Sequence, residues 1–255
     1  MRTDSPTRRQ PPIRSLSGIL LGALLAVAAV GAPAPAEAAT GYRLDLARPG
    51  DFVAQTTFVQ CVGASVQMMV NISEPGADRT AATQRRDQVL ARSLSGPSPL
   101  GRVRQGASVR GWSAALERLG YGPYAVVGEP SLAAAMKTAA RAIRMTGRPV
   151  GLLVWRGRHA WVMSGFEATA DPAVTDAFRV TAASILDPLY PYGSSVWGPS
   201  PRPGRAISVA AVGRQFVARS SGREAARWLS ASLAGQWVLV LPVNDLRQPW
   251  PGRLS

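Results

Sequence analysis

The spacing of apolar residues changes from helical to strand-like near residue 149. Before that point, apolar residues recur every three or four positions, as they do on one face of a helix. After it, the apolar runs are short and are separated by polar turns, which is typical of strands and hairpins. Helices that come before a mostly antiparallel sheet, rather than alternating with its strands, predict an α+β fold.

Four helices are predicted in the first part of the chain. Their predicted ranges are Val59 to Asn71, Thr80 to Leu94, Ser108 to Leu119 and Ser131 to Met145. Ser108 and Ser131 stand where serine N-caps are favoured, and Gly120 follows the third helix as a C-terminal glycine does. These helices are predicted to pack on the sheet, with a cleft between the two parts.

The second part of the chain is predicted to supply most of the sheet. The predicted strands are Tyr42 to Leu46, Pro149 to Trp155, His159 to Phe166, Phe178 to Leu186 and Gln236 to Val243. The turn Arg156-Gly157-Arg158 joins the second and third of them into a hairpin. Residues 188–206 are rich in proline, glycine and serine and are predicted to form a loop. Two further helices are predicted, at Val209 to Ala218 and Glu224 to Leu233.

Residues 1–38 have the pattern of a secretion signal. Several arginines precede an apolar segment from Leu16 to Val30, and Ala36-Glu37-Ala38 is a small-residue cleavage pattern. That segment is shorter than the roughly 20 residues of a membrane-spanning helix, so we expect cleavage, with an uncleaved anchor as the alternative. The prediction is a secreted or envelope-associated protein with one domain at residues 39–245 and an irregular tail at 246–255.

The chain is strongly basic, with a formal net charge of +14 that comes almost entirely from arginine. For an exported protein, such a charge favours attraction to an anionic cell-envelope surface, and dispersed charge in solvent is the alternative. No stretch combines clustered arginines with interleaved aromatic residues, so no specific nucleic-acid partner is predicted. We expect a monomer.

The sequence contains one cysteine, Cys61, and one histidine, His159. A single cysteine cannot form an internal disulfide, and one of each cannot build a structural zinc site; no metal or organic cofactor is predicted. Cys61 is therefore either a small buried residue or a reactive thiol. Its predicted place in the first turn of a helix favours the thiol, because the positive end of the helix dipole stabilises a thiolate.

A cysteine nucleophile also requires a base, a group that orients the base and donors for the oxyanion. His159 is the candidate base. Asp187 ends a predicted strand and precedes a proline, where its carboxylate could accept an imidazole N–H; Asp171, also followed by proline but in a polar loop, is the rival. Gln55 precedes Cys61 by six residues, and its amide is the candidate oxyanion donor.

Together these features resemble the papain-like cysteine peptidases, and the C39-like branch most closely. The run His-Ala-Trp-Val from His159, with Gly-Phe following at residues 165–166, is similar to the histidine strand of that branch. Ile-Leu-Asp-Pro at residues 185–188 is similar to its Asp-Pro segment. The resemblance covers roughly residues 52–190. Gln60 and Val62 depart from that branch, which often has Asp or Asn before the cysteine and Gly or Trp after it.

The resemblance implies a papain-like fold and a secreted thiol protease that hydrolyses a peptide or protein substrate. The implied roles are nucleophile for Cys61, base for His159, orienting carboxylate for Asp187 and oxyanion donor for Gln55.

Three alternatives remain open from the sequence. A transglutaminase-like acyl-transfer enzyme would share the His-Ala-Trp-Val and Asp-Pro segments, although Gln55 matches the papain-like position better. A cell-wall amide hydrolase of the NlpC/P60 type is also compatible, although such enzymes often use a second histidine. The third alternative is an inactive basic envelope-binding module on the same fold, in which Gln60 and Val62 mark lost activity.

Overall fold

Helices and strands both contribute to the core of the described chain. The computed structural model describes residues 41–97 except 75 and 77, together with residues 105–220 and 233–244. The helices of these ranges are α1 (Cys61–Ser73), α2 (Ala81–Ser93), α3 (Val109–Arg118), α4 (Leu132–Thr146) and α5 (Val209–Gly213). The strands are β1 (Tyr42–Asp45), β2 (Tyr124–Glu129), β3 (Val150–Val154), β4 (His159–Ala168), β5 (Val180–Leu186), β6 (Gly193–Ser194), β7 (Gly198–Pro199), β8 (Ala206–Ser208) and β9 (Trp237–Pro242).

Seven of these strands form one antiparallel sheet in the order β2-β9-β3-β4-β5-β8, with β1 paired to β4 as well. β3 pairs with the first half of β4, from Val154 opposite His159 to Val150 opposite Met163. β1 pairs with the second half of β4, where Asp45 lies opposite Gly165. β6 and β7 form a separate two-stranded ribbon. The mixture of helices with an antiparallel sheet confirms the predicted α+β class.

The sheet buries apolar residues on both of its faces. Along β4, Ala160 and Val162 contribute to a core shared with α1, α2 and α3. Trp161 and Met163 contribute to a second core shared with α4. This alternation follows from the period of two along a strand. The first core positions α1, and therefore Cys61, against the middle of the sheet.

Side-chain caps define where most of the helices begin. Thr80, Ser108 and Ser131 each accept a hydrogen bond from the backbone N–H three residues later, at the starts of α2, α3 and α4. Such a cap stabilises a helix by about 1 kcal/mol. By contrast α1 has no side-chain cap, because the side chain of Gln60 makes no capping hydrogen bond. Among the first N–H groups of α1, that of Gly63 is bound by Gln88 of α2, which leaves those of Cys61 and Val62 for another acceptor.

A glycine lets α1 approach α2 closely. A Cβ atom on Gly63 would lie only 2.7 Å from the Gln84 carbonyl oxygen and 2.7 Å from the Gln88 Cβ. The Gly63 N–H also donates to the buried Gln88 Oε1 at 2.8 Å. This contact fixes the first turn of α1, which carries Cys61, to the neighbouring helix.

Some predicted boundaries and placements are wrong. The first helix begins at Cys61 and not at Val59, because the Gln60 N–H closes a turn onto the Thr57 carbonyl at 3.1 Å and the Gln60 backbone is not helical. The strand β2 was not predicted, so the helices do not all precede the sheet. α5 ends at Gly213, short of the predicted Ala218, because the chain turns there. The predicted loop at 188–206 contains β6 and β7.

Several predictions fall outside the described residues. These are the secretion signal at 1–38, the tail at 246–255 and, except for its last residue, the helix from Glu224 to Leu233. Within the part of the chain that the structure describes, no helix has both the length and the apolar character that crossing a membrane requires.

Candidate active site

Cys61 is the first residue of α1 and is partly exposed. The prediction that it lies in the first turn of a helix is confirmed. At this position the thiol is next to the N-terminus of α1, where the helix dipole has its positive end. Cys61 packs against the core shared by α1, α2 and α3 but is not fully buried.

His159 and Asp187 form a buried hydrogen-bonded pair. His159 is the first residue of β4, Asp187 directly follows β5, and His159 Nε2 lies 2.7 Å from Asp187 Oδ1. The two side chains are 4% and 0% exposed. Oδ1 also accepts the Leu189 N–H at 2.9 Å, and the Asp187 carbonyl accepts the Tyr190 N–H at 3.0 Å. The tight turn after β5 thus fixes the carboxylate against the imidazole.

The imidazole of His159 also interacts with Cys61. Burial by itself lowers the pKa of His159, but hydrogen bonds to Asp187 and to Cys61, and the charges of both, outweigh it and raise the pKa to about 9. Because Nε2 meets Asp187, Nδ1 is the ring nitrogen left for Cys61. The imidazole thus interacts with a carboxylate and with the Cys61 side chain, and its charged form is favoured at neutral pH.

Gln55 lies in the loop before α1 and is attached to the segment that follows Asp187. Its backbone N–H donates to the Pro188 carbonyl at 2.7 Å. Its side-chain Nε2 donates to the Thr57 carbonyl at 2.9 Å, and its Oε1 is buried without a hydrogen-bond partner. An amide nitrogen carries two hydrogens, so one donor of Gln55 remains for a ligand.

Gln84 fixes this loop, although it was not among the predicted site residues. It is fully buried on α2, where its Oε1 accepts the Thr56 N–H at 2.8 Å and its Nε2 donates to the Ala54 carbonyl at 2.9 Å. A buried amide that satisfies backbone groups on both sides of Gln55 restricts the positions that Gln55 can adopt. No local pattern distinguishes Gln84 from the other polar residues of that predicted helix.

Asp171, the rival to Asp187, binds an arginine instead of the histidine. Its two carboxylate oxygens accept hydrogen bonds from Arg144 Nε and Nη2 at 2.9 to 3.2 Å. The hydrogen bond from Arg144 and the N–H of Ala173 lower the pKa of Asp171. The structure therefore pairs His159 with Asp187, as predicted.

The two tryptophans near His159 have different surroundings. Trp161 is fully buried in the core. Trp155 stacks on the His159 ring, with 4.2 Å between the ring centroids and 24° between the planes. Its Nε1 donates to Gln215 Oε1 at 2.9 Å. Trp155, at the end of the predicted strand before His159, was expected to line the core or the cleft, and Gln215 was not among the predicted site residues.

No group of acidic, histidine and cysteine side chains suited to a metal ion occurs among the described residues. Comparisons with models of protein families, with curated proteins and with solved structures found no match for this chain.

Proposed function

We propose that this protein is a cysteine peptidase with a papain-like fold and that its site consists of Cys61, His159, Asp187 and Gln55. The observation that carries the proposal is the position of His159, which is held by Asp187 on one side and interacts with Cys61 on the other. Residues from α1, the start of β4 and the turn after β5 contribute to this arrangement. A nucleophile, a base and an orienting group in this order form the constellation of acyl-transfer catalysis.

In the first half of the reaction, Cys61 is the nucleophile. The raised pKa of His159 keeps the imidazole protonated at neutral pH and supports a thiolate beside it. The thiolate attacks the peptide carbonyl carbon, and the π electrons of the carbonyl move to its oxygen. His159 then gives its proton to the amide nitrogen, the C–N bond breaks, and the amine leaves a thioester on Cys61.

In the second half, His159 is the general base. It takes a proton from a water molecule, whose oxygen attacks the thioester carbonyl. The C–S bond breaks, the substrate leaves as a carboxylic acid, and the thiolate and imidazolium return. Asp187 holds the imidazole in one orientation throughout and stabilises its charged form.

The negative oxygen of each tetrahedral intermediate requires hydrogen-bond donors. The Cys61 and Val62 N–H groups at the start of α1 and the second N–H of the Gln55 amide are the donors that we assign to it. The hydrogen bond from Gln55 to the Pro188 carbonyl supports this role, because it connects the loop before α1 to the segment that carries Asp187. Phe58, 89% exposed three residues before Cys61, offers an apolar contact for a substrate side chain.

The proposed place of action is outside the cell or at its envelope. The secretion signal pattern at residues 1–38 and the formal net charge of +14 support this proposal. An anionic envelope polymer would be attracted to such a protein, and peptides or proteins close to it are the proposed substrates.

The test compares the wild type with Cys61→Ser, which preserves the shape of the site. Both proteins are incubated with a proteome-derived peptide library, and new termini are identified by mass spectrometry. We expect cleavage by the wild type and none by the variant. In parallel, iodoacetamide should label the wild-type thiol rapidly at about pH 6, whereas His159→Ala should follow an ordinary thiol with a pKa of about 8.5.

The same samples separate the alternatives. Incorporation of an added primary amine into the peptides, in place of hydrolysis, would indicate a transglutaminase-like activity. Release of soluble peptides from purified cell wall alone would indicate a wall hydrolase. Absence of both cleavage and rapid labelling would overturn the proposal, and equal binding of wild type and Cys61→Ser to anionic envelope would then favour the binding module.

A further inference from the structure

Trp155 covers one face of the proposed catalytic imidazole. The two rings are nearly parallel, at 24°, and their centroids are 4.2 Å apart. Asp187 and Cys61 interact with His159 through its nitrogen atoms, which lie at the edge of the ring. The indole therefore contacts a part of the imidazole that neither hydrogen-bonding partner uses.

Gln215 holds the indole in this position. This glutamine is buried, and its Oε1 accepts the Trp155 Nε1–H at 2.9 Å. Its backbone carbonyl accepts the Trp155 backbone N–H at 2.9 Å, and its Nε2 donates to the Pro199 carbonyl at 2.9 Å. Gln215 thus holds both the backbone and the ring of Trp155. Its own side-chain Nε2 is held by the Pro199 carbonyl.

The backbone under Trp155 adopts a conformation that costs free energy. Trp155 and Arg156 have φ values of 56° and 57°, in the left-handed region that a residue with a Cβ disfavours by about 1 to 2 kcal/mol. The turn is closed by hydrogen bonds from the Gly157 and Arg158 N–H groups to the Val154 carbonyl, at 3.0 and 3.1 Å. Glycine or asparagine would fit these positions with less strain, so stability of the turn does not explain a tryptophan there.

A tryptophan ring has a physical effect on an imidazole that it covers. The negative face of the indole attracts a cation and therefore favours imidazolium over neutral imidazole. It also excludes water from that face and restricts rotation of the ring. The titratable groups that face His159 are Asp187 and Cys61, both at the ring edge; Arg156 and Arg158, in the preceding turn, are exposed.

We propose that Trp155 is a positioning residue for His159, which stabilises the charged imidazole and fixes its plane, and that Gln215 holds Trp155 in place. The inference rests on the proposed function, because it concerns the same imidazole. It assigns the strained turn before β4 to the site and adds two residues that were not among the predicted site residues.

The test uses the fact that the chain has a single histidine, so that its ring signals in an NMR titration need no further assignment. Trp155→Leu should lower the titration midpoint of His159 by about one pH unit. Trp155→Phe keeps an aromatic face and should give a smaller decrease. Gln215→Leu leaves the indole without its ring acceptor and should shift the midpoint in the same direction as Trp155→Leu.

The matched control is Trp237→Phe. Trp237 is also partly buried, and its Nε1 donates one hydrogen bond, to the Phe216 carbonyl at 3.0 Å. This variant should leave the titration midpoint of His159 unchanged. It therefore controls for effects that come from replacing any partly buried tryptophan. An unchanged midpoint in folded Trp155→Leu, or an equal decrease in Trp237→Phe, would overturn the inference.

Failure of the proposed function would give a different result. If Cys61→Ser and Asp187→Asn both leave the His159 midpoint unchanged, the imidazole is not coupled to its proposed partners. In that case the proposed function fails whatever the Trp155 variants do. If those two variants shift the midpoint and the Trp155 variants do not, the proposed function stands and only the role of Trp155 is rejected.

Discussion

Two aspartates of this chain stand before a proline and bind a basic side chain, but they do so in different surroundings. Asp187 meets His159 at 2.7 Å, with the two side chains 0% and 4% exposed. Asp171 meets Arg144 at 2.9 Å, with the two side chains 20% and 36% exposed. The dipeptide is the same, so the pairs differ in burial and in the basic partner, which is a histidine in one and an arginine in the other.

Burial changes what such a contact does. Around Asp171 and Arg144, water screens the charges, and the pair connects the end of α4 to the loop after β4. Arg144 stays protonated at any ordinary pH, so no proton is exchanged. Around Asp187 and His159 the effective dielectric constant is lower, and the carboxylate determines whether a group of ordinary pKa 6.5 carries a proton. The buried pair of His159 and Asp187 can therefore take part in proton transfer, and the half-buried pair of Arg144 and Asp171 cannot.

The largest expected difference between the two pairs is in activity. Asp187→Asn removes the charge that stabilises the imidazolium while keeping a side chain of nearly the same shape. We expect peptide cleavage to fall by about 100-fold or more, the range of general acid–base effects. The measurement is the cleavage rate of the best peptide from the library at about neutral pH.

Asp171→Asn is the matched control for that measurement. It makes the same change, from aspartate to asparagine, at a position that is also followed by proline. Its cleavage rate should equal that of the wild type. Equal rates for Asp187→Asn and the wild type would contradict the role of Asp187. Equal losses in both variants would mean that the effect comes from folding and not from the site.

A second difference should appear in stability as pH changes. The pKa of His159 is raised from 6.5 to about 9, so the folded state binds its proton more tightly than the unfolded state does. The stabilisation is fully present below about pH 6.5 and is lost as the pH rises through about 9. It amounts to on the order of 3 kcal/mol.

The measurement is the free energy of unfolding in urea, followed from pH 6 to about pH 10 for the wild type and for His159→Gln. The difference between the two proteins removes the titration of all other groups. The stability advantage of the wild type over His159→Gln should decrease as the pH rises. The decrease should be steepest between about pH 6.5 and about pH 9. A difference that does not vary with pH would show that His159 is not coupled to its neighbours.

The main residues of the candidate site could be singled out because their signals are local. Cys61 and His159 are unique in the chain, and each stands at the start of an element that its neighbours predict. Asp187 was preferred to Asp171 because it follows an apolar strand, and the structure pairs it with His159. Such signals can be recognised from a few consecutive residues.

The parts that were missed depend on contacts between distant segments. Gln215 lies sixty positions from Trp155, and no local pattern connects a glutamine after a short helix to a tryptophan in a hairpin turn. β2 was missed because only Tyr124 among its residues is buried, so its apolar pattern is weak. The apolar residues along one side of α4 indicate that this side of the helix is buried. They do not indicate which face of the sheet the helix packs against.

The smallest expected effect is on the half-buried pair of Arg144 and Asp171, and it depends on salt. Arg144 packs over the Tyr42 ring, at 5.5 Å from the ring centroid, in addition to its contact with Asp171. Asp171→Asn should therefore lower the unfolding midpoint in urea only slightly, and the decrease should shrink at high salt because salt screens exposed charges. Arg144→Ala should cost more than Asp171→Asn, because it also removes the contact with the tyrosine ring, and that extra loss should persist at high salt. A large, salt-independent loss in Asp171→Asn would mean that burial does not separate the two pairs.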